Sequence, residues 1–141
     1  IGEGEAKNEL IELSRTLNVI DRTLFLDYLP TPYNYLSLFD VYAMCSRSEG
    51  FGLAAVEATL MQTPVVCSNI SIFKEIFDDT KVSFFELDNI SSLLESINIA
   101  ISTIGKLKAK VALNYSLNNF SGYKMASNYL DIYSNLLNGK I

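Results

Sequence analysis

The sequence predicts an α/β fold, a Rossmann-like parallel sheet with helices on both faces. Three observations carry that expectation. Short apolar runs bounded by polar residues alternate with longer stretches of helical periodicity, the pattern of repeated strand–helix units. Those runs are continuously apolar, as in strands covered on both faces. One glycine-containing turn, Ser46 to Gly52, joins such a run to a helix. The 141 residues suit one ordinary domain, and 49% hydrophobic with 19% charged residues describe a globular chain. The net charge of −5, with no basic run, argues against a nucleic-acid partner. The absence of histidine excludes Ser–His or Cys–His catalysis and imidazole-based zinc sites within these residues. Cys45 and Cys67 make no close metal-type pair and read as buried thiols at strand ends in a reducing compartment. No signal peptide or membrane-spanning run is evident.

The elements follow in order. Ile1 to Glu5 reads as the tail of a strand and a glycine turn. Glu5 to Leu17 is an amphipathic helix with Leu10, Leu13 and Leu17 on one face. Arg22 to Leu26 is a strand, and Tyr28 at its exit is either a packed aromatic or a ligand contact. Thr31 to Phe39 is a short helix with Thr31 as N-cap, Pro32 at the first position and an apolar face of Tyr35, Leu36 and Phe39. Asp40 to Cys45 is a buried strand, Leu53 to Met61 a helix stopped by Pro64, and Val65 to Ser68 the next parallel strand. Ser71 to Phe77 is a short turn or helix, and Val82 to Phe85 a strand. Asp88 or Asn89 caps a helix whose stripe of Ile90, Leu93, Leu94, Ile97, Ile101 and Ile104 reads as core. Gly105 breaks that helix. Lys106 to Leu117 forms another, its lysines on a solvated face. Ser121 caps the last, whose stripe from Tyr123 to Leu137 reads as core, with an uncovered interface as the alternative.

The turn before Leu53 carries the candidate chemistry. Gly50 and Gly52 permit backbone angles closed to other residues and let a ligand approach the main chain. A helix N-terminus offers unpartnered N–H groups and a positive dipole end, suited to an anion or to hydroxyl oxygens. Glu49 precedes those amides, and Glu57 lies roughly 6 Å beyond Leu53 along the axis, at about 1.5 Å per residue. A ligand with an anionic middle and hydroxyls at both ends would meet a carboxylate at each end. A nucleotide-sugar is such a ligand. The plainer alternative is a tight turn flanked by solvated or capping glutamates. The carboxyl end of the strand at Ser68 and Asn69 faces the same cleft, where open α/β sheets bind ligands.

Glu49-Gly50-Phe51-Gly52-Leu53-Ala54-Ala55-Val56-Glu57-Ala58, followed by Thr63-Pro64-Val65-Val66, resembles the E-x7-E signature of retaining GT-B glycosyltransferases of family four. The family pattern is roughly P-S-x-x-E-G-F-G-L-x-x-x-E-A-x-A-x-G-x-P-V, and Ser46, Glu49, Gly50, Phe51, Gly52, Leu53, Glu57, Ala58, Pro64 and Val65 match it. The resemblance implies that residues 1–141 are a truncated second, donor-binding domain of a GT-B fold. Its first strand–helix unit and most of the second strand would be missing. It implies Glu49 at the donor sugar, the amides of Gly50, Phe51 and Gly52 on sugar hydroxyls, and those of Leu53 and Ala54 on the diphosphate. Glu57 would hold the ribose. It implies a nucleotide-sugar donor, no metal or other cofactor, and a glycan or lipid-linked acceptor held mainly by the missing N-terminal domain. The 141 residues alone would then be inactive. The location implied is cytoplasmic, with room for peripheral membrane association through the missing half.

The chain departs from the family at Asp27 and Gln62, where glycine is usual, and at Thr80-Lys81, where the family has asparagine-glycine. Main-chain groups near Leu26 and Asp27 would lie by the nucleotide base, and Glu75 matches a family glutamate by position but also reads as a local structural carboxylate. Two other classes stand beside this one. Glu86 and Asp88 offer a faint version of the acidic pair of metal-dependent transferases. A non-catalytic nucleotide-binding or scaffold domain is the other.

Overall fold

The computed structural model describes residues 2–139, which form two compact units that divide between Asn34 and Tyr35. In the first unit, α1 (Lys7–Thr16) is shorter than expected. It ends with Asn18 at φ 54°, where Asn18 N–H donates to the Arg15 carbonyl and Val19 N–H to that of Ser14. That left-handed closure suits asparagine. Within this unit Leu10, Leu13 and Leu17 are exposed and Ser14 is the buried residue of α1, so the leucine face is not core here. Arg22 to Leu26 is not a strand. A 3-10 turn (Ile20–Arg22) leads into an extended stretch with one ladder-like bond among the described residues, from Gly2 N–H to the Leu26 carbonyl. An extended segment becomes sheet only when a neighbour pairs along it. Tyr28 is exposed, which removes its reading as a packed aromatic. Asp27 pairs with Lys7. The strand tail expected at Ile1 lies outside the described residues.

Pro32–Leu38 is 3-10 and not α-helical. Tyr33, Asn34, Tyr35 and Ser37 are weak helix formers, and short connectors commonly take the tighter form. Thr31 accepts from the Asn34 side chain instead of capping through a backbone N–H. Of the expected face only Leu36 is buried, and its carbonyl accepts from Thr63 Oγ1 at 2.6 Å.

The second unit holds a parallel sheet in the order β1 (Tyr42–Met44), β2 (Val65–Ser68), β3 (Ser83–Phe85), with Tyr42 opposite Val65 and Val66 opposite Ser83. Successive side chains point to opposite faces. On one face Val65 and Cys67 pack with Ala55, Val56 and Ala58 of α2 (Leu53–Leu60) and with Phe73 of α3 (Ser71–Ile76). On the other, Val66 and Phe85 pack with Ala100 of α4 (Ile90–Ile101). Helices therefore cover both faces, as expected. Cys67 is buried, and burial pushes its thiol up to about 12, whereas Cys45, one residue past β1, is exposed and not the buried thiol expected.

α2 closes through Gln62 at φ 57°, with Gln62 N–H on the Thr59 carbonyl and Thr63 N–H on that of Ala58. This is a left-handed closure made without glycine. Asn89 caps α4, accepting from Ser92 N–H at 3.0 Å. The core stripe expected on α4 is displaced around the helix. Ser96 and Ala100 are buried, with Leu93 and Ile97 against the core, while Ile90, Leu94, Ile101 and Ile104 are exposed. Small residues let the helix approach the sheet, where Ser96 Oγ donates to the Phe84 carbonyl at 2.6 Å.

Gly105 does not break a helix. The break falls at Ser102, which caps α5 (Thr103–Asn119), and Gly105 sits in its first turns. A Cβ there would lie 1.9 Å from the Ala100 carbonyl oxygen, so glycine marks the close approach of α4 and α5. Lys108 is not simply solvated either, because its ammonium donates to the Val82 carbonyl at 3.0 Å. α5 packs on α2 through Thr59 and Ser116, whose buried hydroxyls are 2.7 Å apart. Ser121 caps α6 (Gly122–Leu137), accepting from Lys124 N–H at 3.2 Å. No residue of α6 is buried among the described residues, so its stripe is uncovered surface and not core.

Candidate functional site

The turn from Ser46 to Gly52 lies at the carboxyl end of β1. Its first half is fixed by polar contacts. Ser46 Oγ donates to a Glu49 carboxylate oxygen at 2.7 Å, and the Ser46 carbonyl accepts from Ser68 Oγ at 2.5 Å. The turn is thus tied to the end of β2. Arg47 holds Asp88 through both guanidinium nitrogens, one at 2.9 Å, which tethers the turn to the loop before α4. That pairing lowers the Asp88 carboxyl and raises the Arg47 guanidinium.

The second half differs. The N–H groups of Gly50, Phe51, Gly52, Leu53 and Ala54 meet no hydrogen-bond acceptor among the described residues. The Gly52 carbonyl, by contrast, accepts from Ala55 and Val56 at 3.0 and 3.3 Å, starting α2. Gly52 stands at φ 82°, and a Cβ on it would come within 2.5 Å of the Phe73 ring. Glycine is required there on both counts. At Gly50 it is not: the backbone is outside the left-handed region and a Cβ would meet nothing within 4 Å. Gly50, Phe51 and Leu53 are exposed and Ala54 is half-buried, whereas Gly52 is buried against the Phe73 ring.

Glu49 and Glu57 are both partly buried. Burial first, then the charges of Glu57 and of Glu49, push the Tyr42 phenol above its ordinary range. Sequence reasoning passed over Tyr42. A tyrosine within an apolar strand, two positions from Met44 on the same face, was the available signal, since a buried phenol needs a polar partner. Phe51, Leu53, Glu57, Leu60, Phe120 and Met125 line a groove of about 480 Å³.

The structure thus brings Glu49, Gly50, Phe51, Gly52, Leu53, Ala54 and Glu57 together around one turn. Glu75 is exposed on α3 without a side-chain hydrogen bond or ion pair among the described residues, so it makes none of the local contacts expected of a structural carboxylate. Glu86 accepts from Asn69 and Asp88 pairs with Arg47, so the acidic pair is engaged within the protein. The described residues hold no cluster of three or more potential metal ligands, and no helix among them is long and apolar enough to cross a membrane.

The three-stranded parallel sheet with helices on both faces, and a strand-end turn that opens α2, define a Rossmann-like α/β domain. The family model for glycosyl transferases group 1 matches residues 1–114, and the chain belongs to that family. Its fold is that of the C-terminal domain of GT-B glycosyltransferases. It is 38% identical over 135 residues to the O-antigen biosynthesis glycosyltransferase WclY of Escherichia coli, covering 96% of this chain and 38% of that protein. It is 31% identical over 99 residues to N-acetylgalactosamine-N,N'-diacetylbacillosaminyl-diphospho-undecaprenol 4-alpha-N-acetylgalactosaminyltransferase of Campylobacter jejuni, covering 69% of this chain and 27% of that one. Anabaena Alr3699/HepE in complex with UDP superposes with a TM-score of 0.84 at 21% identity, over 91% of this chain and 36% of that structure. The chain spans well under half the length of the relatives it matches.

Proposed function

We propose that this chain is the donor-binding part of a retaining glycosyltransferase that moves a sugar from a nucleotide-sugar to a glycan or lipid-linked acceptor. The observation that supports this most is the run of unpartnered amides from Gly50 to Ala54, with Glu49 before it and Glu57 after it. Glu49 contacts donor sugar hydroxyls near the reacting carbon and steadies the oxocarbenium-like state. The amides of Gly50, Phe51 and Gly52 meet sugar hydroxyls. Those of Leu53 and Ala54, at the positive end of α2, take the diphosphate and stabilise its growing charge as it leaves. Glu57 accepts hydrogen bonds from the ribose. The helix dipole, with basic residues elsewhere in the whole protein, serves in place of a metal. WclY's role in O-antigen biosynthesis and the diphospho-undecaprenol in the Campylobacter enzyme's name support the acceptor class. A cytoplasmic location, with peripheral membrane association through the rest of the protein, belongs to the same reading.

Kinetics of the whole protein test the assignment. Glu49→Ala lowers turnover by roughly a hundredfold or more, the scale of losing one preorganised contact to the reacting centre. Glu57→Ala instead weakens nucleotide binding roughly tenfold or more, as for a lost charged hydrogen bond. Wild-type turnover in Glu49→Ala removes that residue's role. No binding of any nucleoside diphosphate by the intact protein leaves the scaffold reading. Chelator leaves the rate unchanged, and residues 1–141 alone show no transfer.

A further inference from the structure

We infer that Phe120 is a positioning residue for the open amides, acting through the ring of Phe51; the inference rests on the donor-site reading above. The polar contacts of the turn end at Glu49, and the helical bonds begin at the Gly52 carbonyl. Between them Gly50 and Phe51 make no hydrogen bond among the described residues, and Gly50 is sterically unconstrained. What fastens this span is an aromatic contact. The Phe51 ring meets Phe120 edge to face, with centroids 5.7 Å apart and planes at 86°. Phe120 is itself held by Tyr115 at 5.6 Å, and Tyr115 by the buried Phe77 at 6.5 Å. The Lys81 ammonium lies 4.6 Å from the centroid of the Tyr115 ring.

A row of rings thus runs from the core to the one exposed side chain of the unbonded span. Fixing that side chain fixes the peptide planes on either side of it, and so the direction of the Gly50–Gly52 amides. A preorganised donor array costs less to order when ligand arrives. Phe120 also lines the groove beside Glu57, and the double variant below separates direct contact with a ligand from an effect that passes through Phe51.

Calorimetric titration of the whole protein with uridine, guanosine and adenosine diphosphates tests this, with donor and acceptor KM measured in parallel. Phe120→Leu is expected to weaken the best-bound nucleotide, and to raise donor KM, by about three- to tenfold, the scale of one aromatic pair. Acceptor KM stays unchanged, and Phe120→Tyr restores binding. In a Phe51→Leu background, Phe120→Leu has no further effect. Wild-type affinity in Phe120→Leu, or additive losses in the double variant, overturns the inference while leaving the donor site standing. A wild-type protein that binds no nucleoside diphosphate, those of cytidine and thymidine included, overturns both.

Discussion

α2 and α6 invert the usual relation between pattern and burial. α2 is short and apolar nearly all round, and Ala55, Val56, Ala58 and Thr59 are buried between sheet and α5. α6 is twice as long with a clear apolar stripe, yet Tyr123 is 86% exposed and Leu137 88%. A stripe states which face of a helix favours cover. It does not state that its own unit supplies the cover. In α2 the deciding residues are small, because small residues bring backbones together and make burial complete.

Matched substitutions sharpen this contrast. The largest difference is expected at the two helix starts. Gly52→Ala meets both a left-handed backbone and the Phe73 ring, and should cost about 3 kcal/mol from strain and overpacking together. Gly122→Ala, where a Cβ meets open space, should stay within about 0.5 kcal/mol. Urea denaturation of the 141-residue chain measures both, and equal costs would break the comparison. Next, Gln62→Gly relieves the left-handed side chain at the end of α2 and should stabilise by about 1 kcal/mol, read as a raised Tm.

Acid offers a smaller effect. Hydrogen bonds from Lys81 and Thr80 hold the Asp78 carboxyl at about 2, below its ordinary 3.8. A lowered folded-state pKa means that the contribution is whole above about pH 4 and fades as pH falls towards 2. Asp78 is well exposed, so the contribution should be about 1 kcal/mol or less. The urea midpoints of wild type and Asp78→Asn should differ at pH 5 and converge near pH 2. Lys81 also lies over the Tyr115 ring of α5, 4.6 Å from its centroid. The smallest effect is expected in α6, where Leu130→Ala should change the stability of the 141-residue chain by under about 0.5 kcal/mol, against about 2–5 for a buried leucine.

The strand–turn–helix at Ser46 to Leu60 was legible because its chemistry is local. Gly52 needs its φ, and Glu49 and Glu57 keep their spacing whatever lies around them. Other features depended on partners distant in sequence. Gly105 looks like a breaker until Ala100 is seen against it. The stretch from Arg22 to Leu26 has strand composition but little ladder within its own unit. The cover on α4 falls on Ser96 and Ala100 because β3 is reached best by small side chains, which no apolar count would select. Tyr42 lies ahead of the turn, and its phenol is raised by burial first and then by the charges of Glu57 and Glu49, which no motif around it announces.

The unequal surroundings of the two thiols have a practical consequence. Cys67 is sealed in the sheet and resists ionisation, whereas Cys45 opens to solvent beside the turn, with its own thiol raised by partial burial. A maleimide dye at mildly alkaline pH should therefore attach at one place only. It would give a fluorescent reporter next to the amide array without any engineered cysteine.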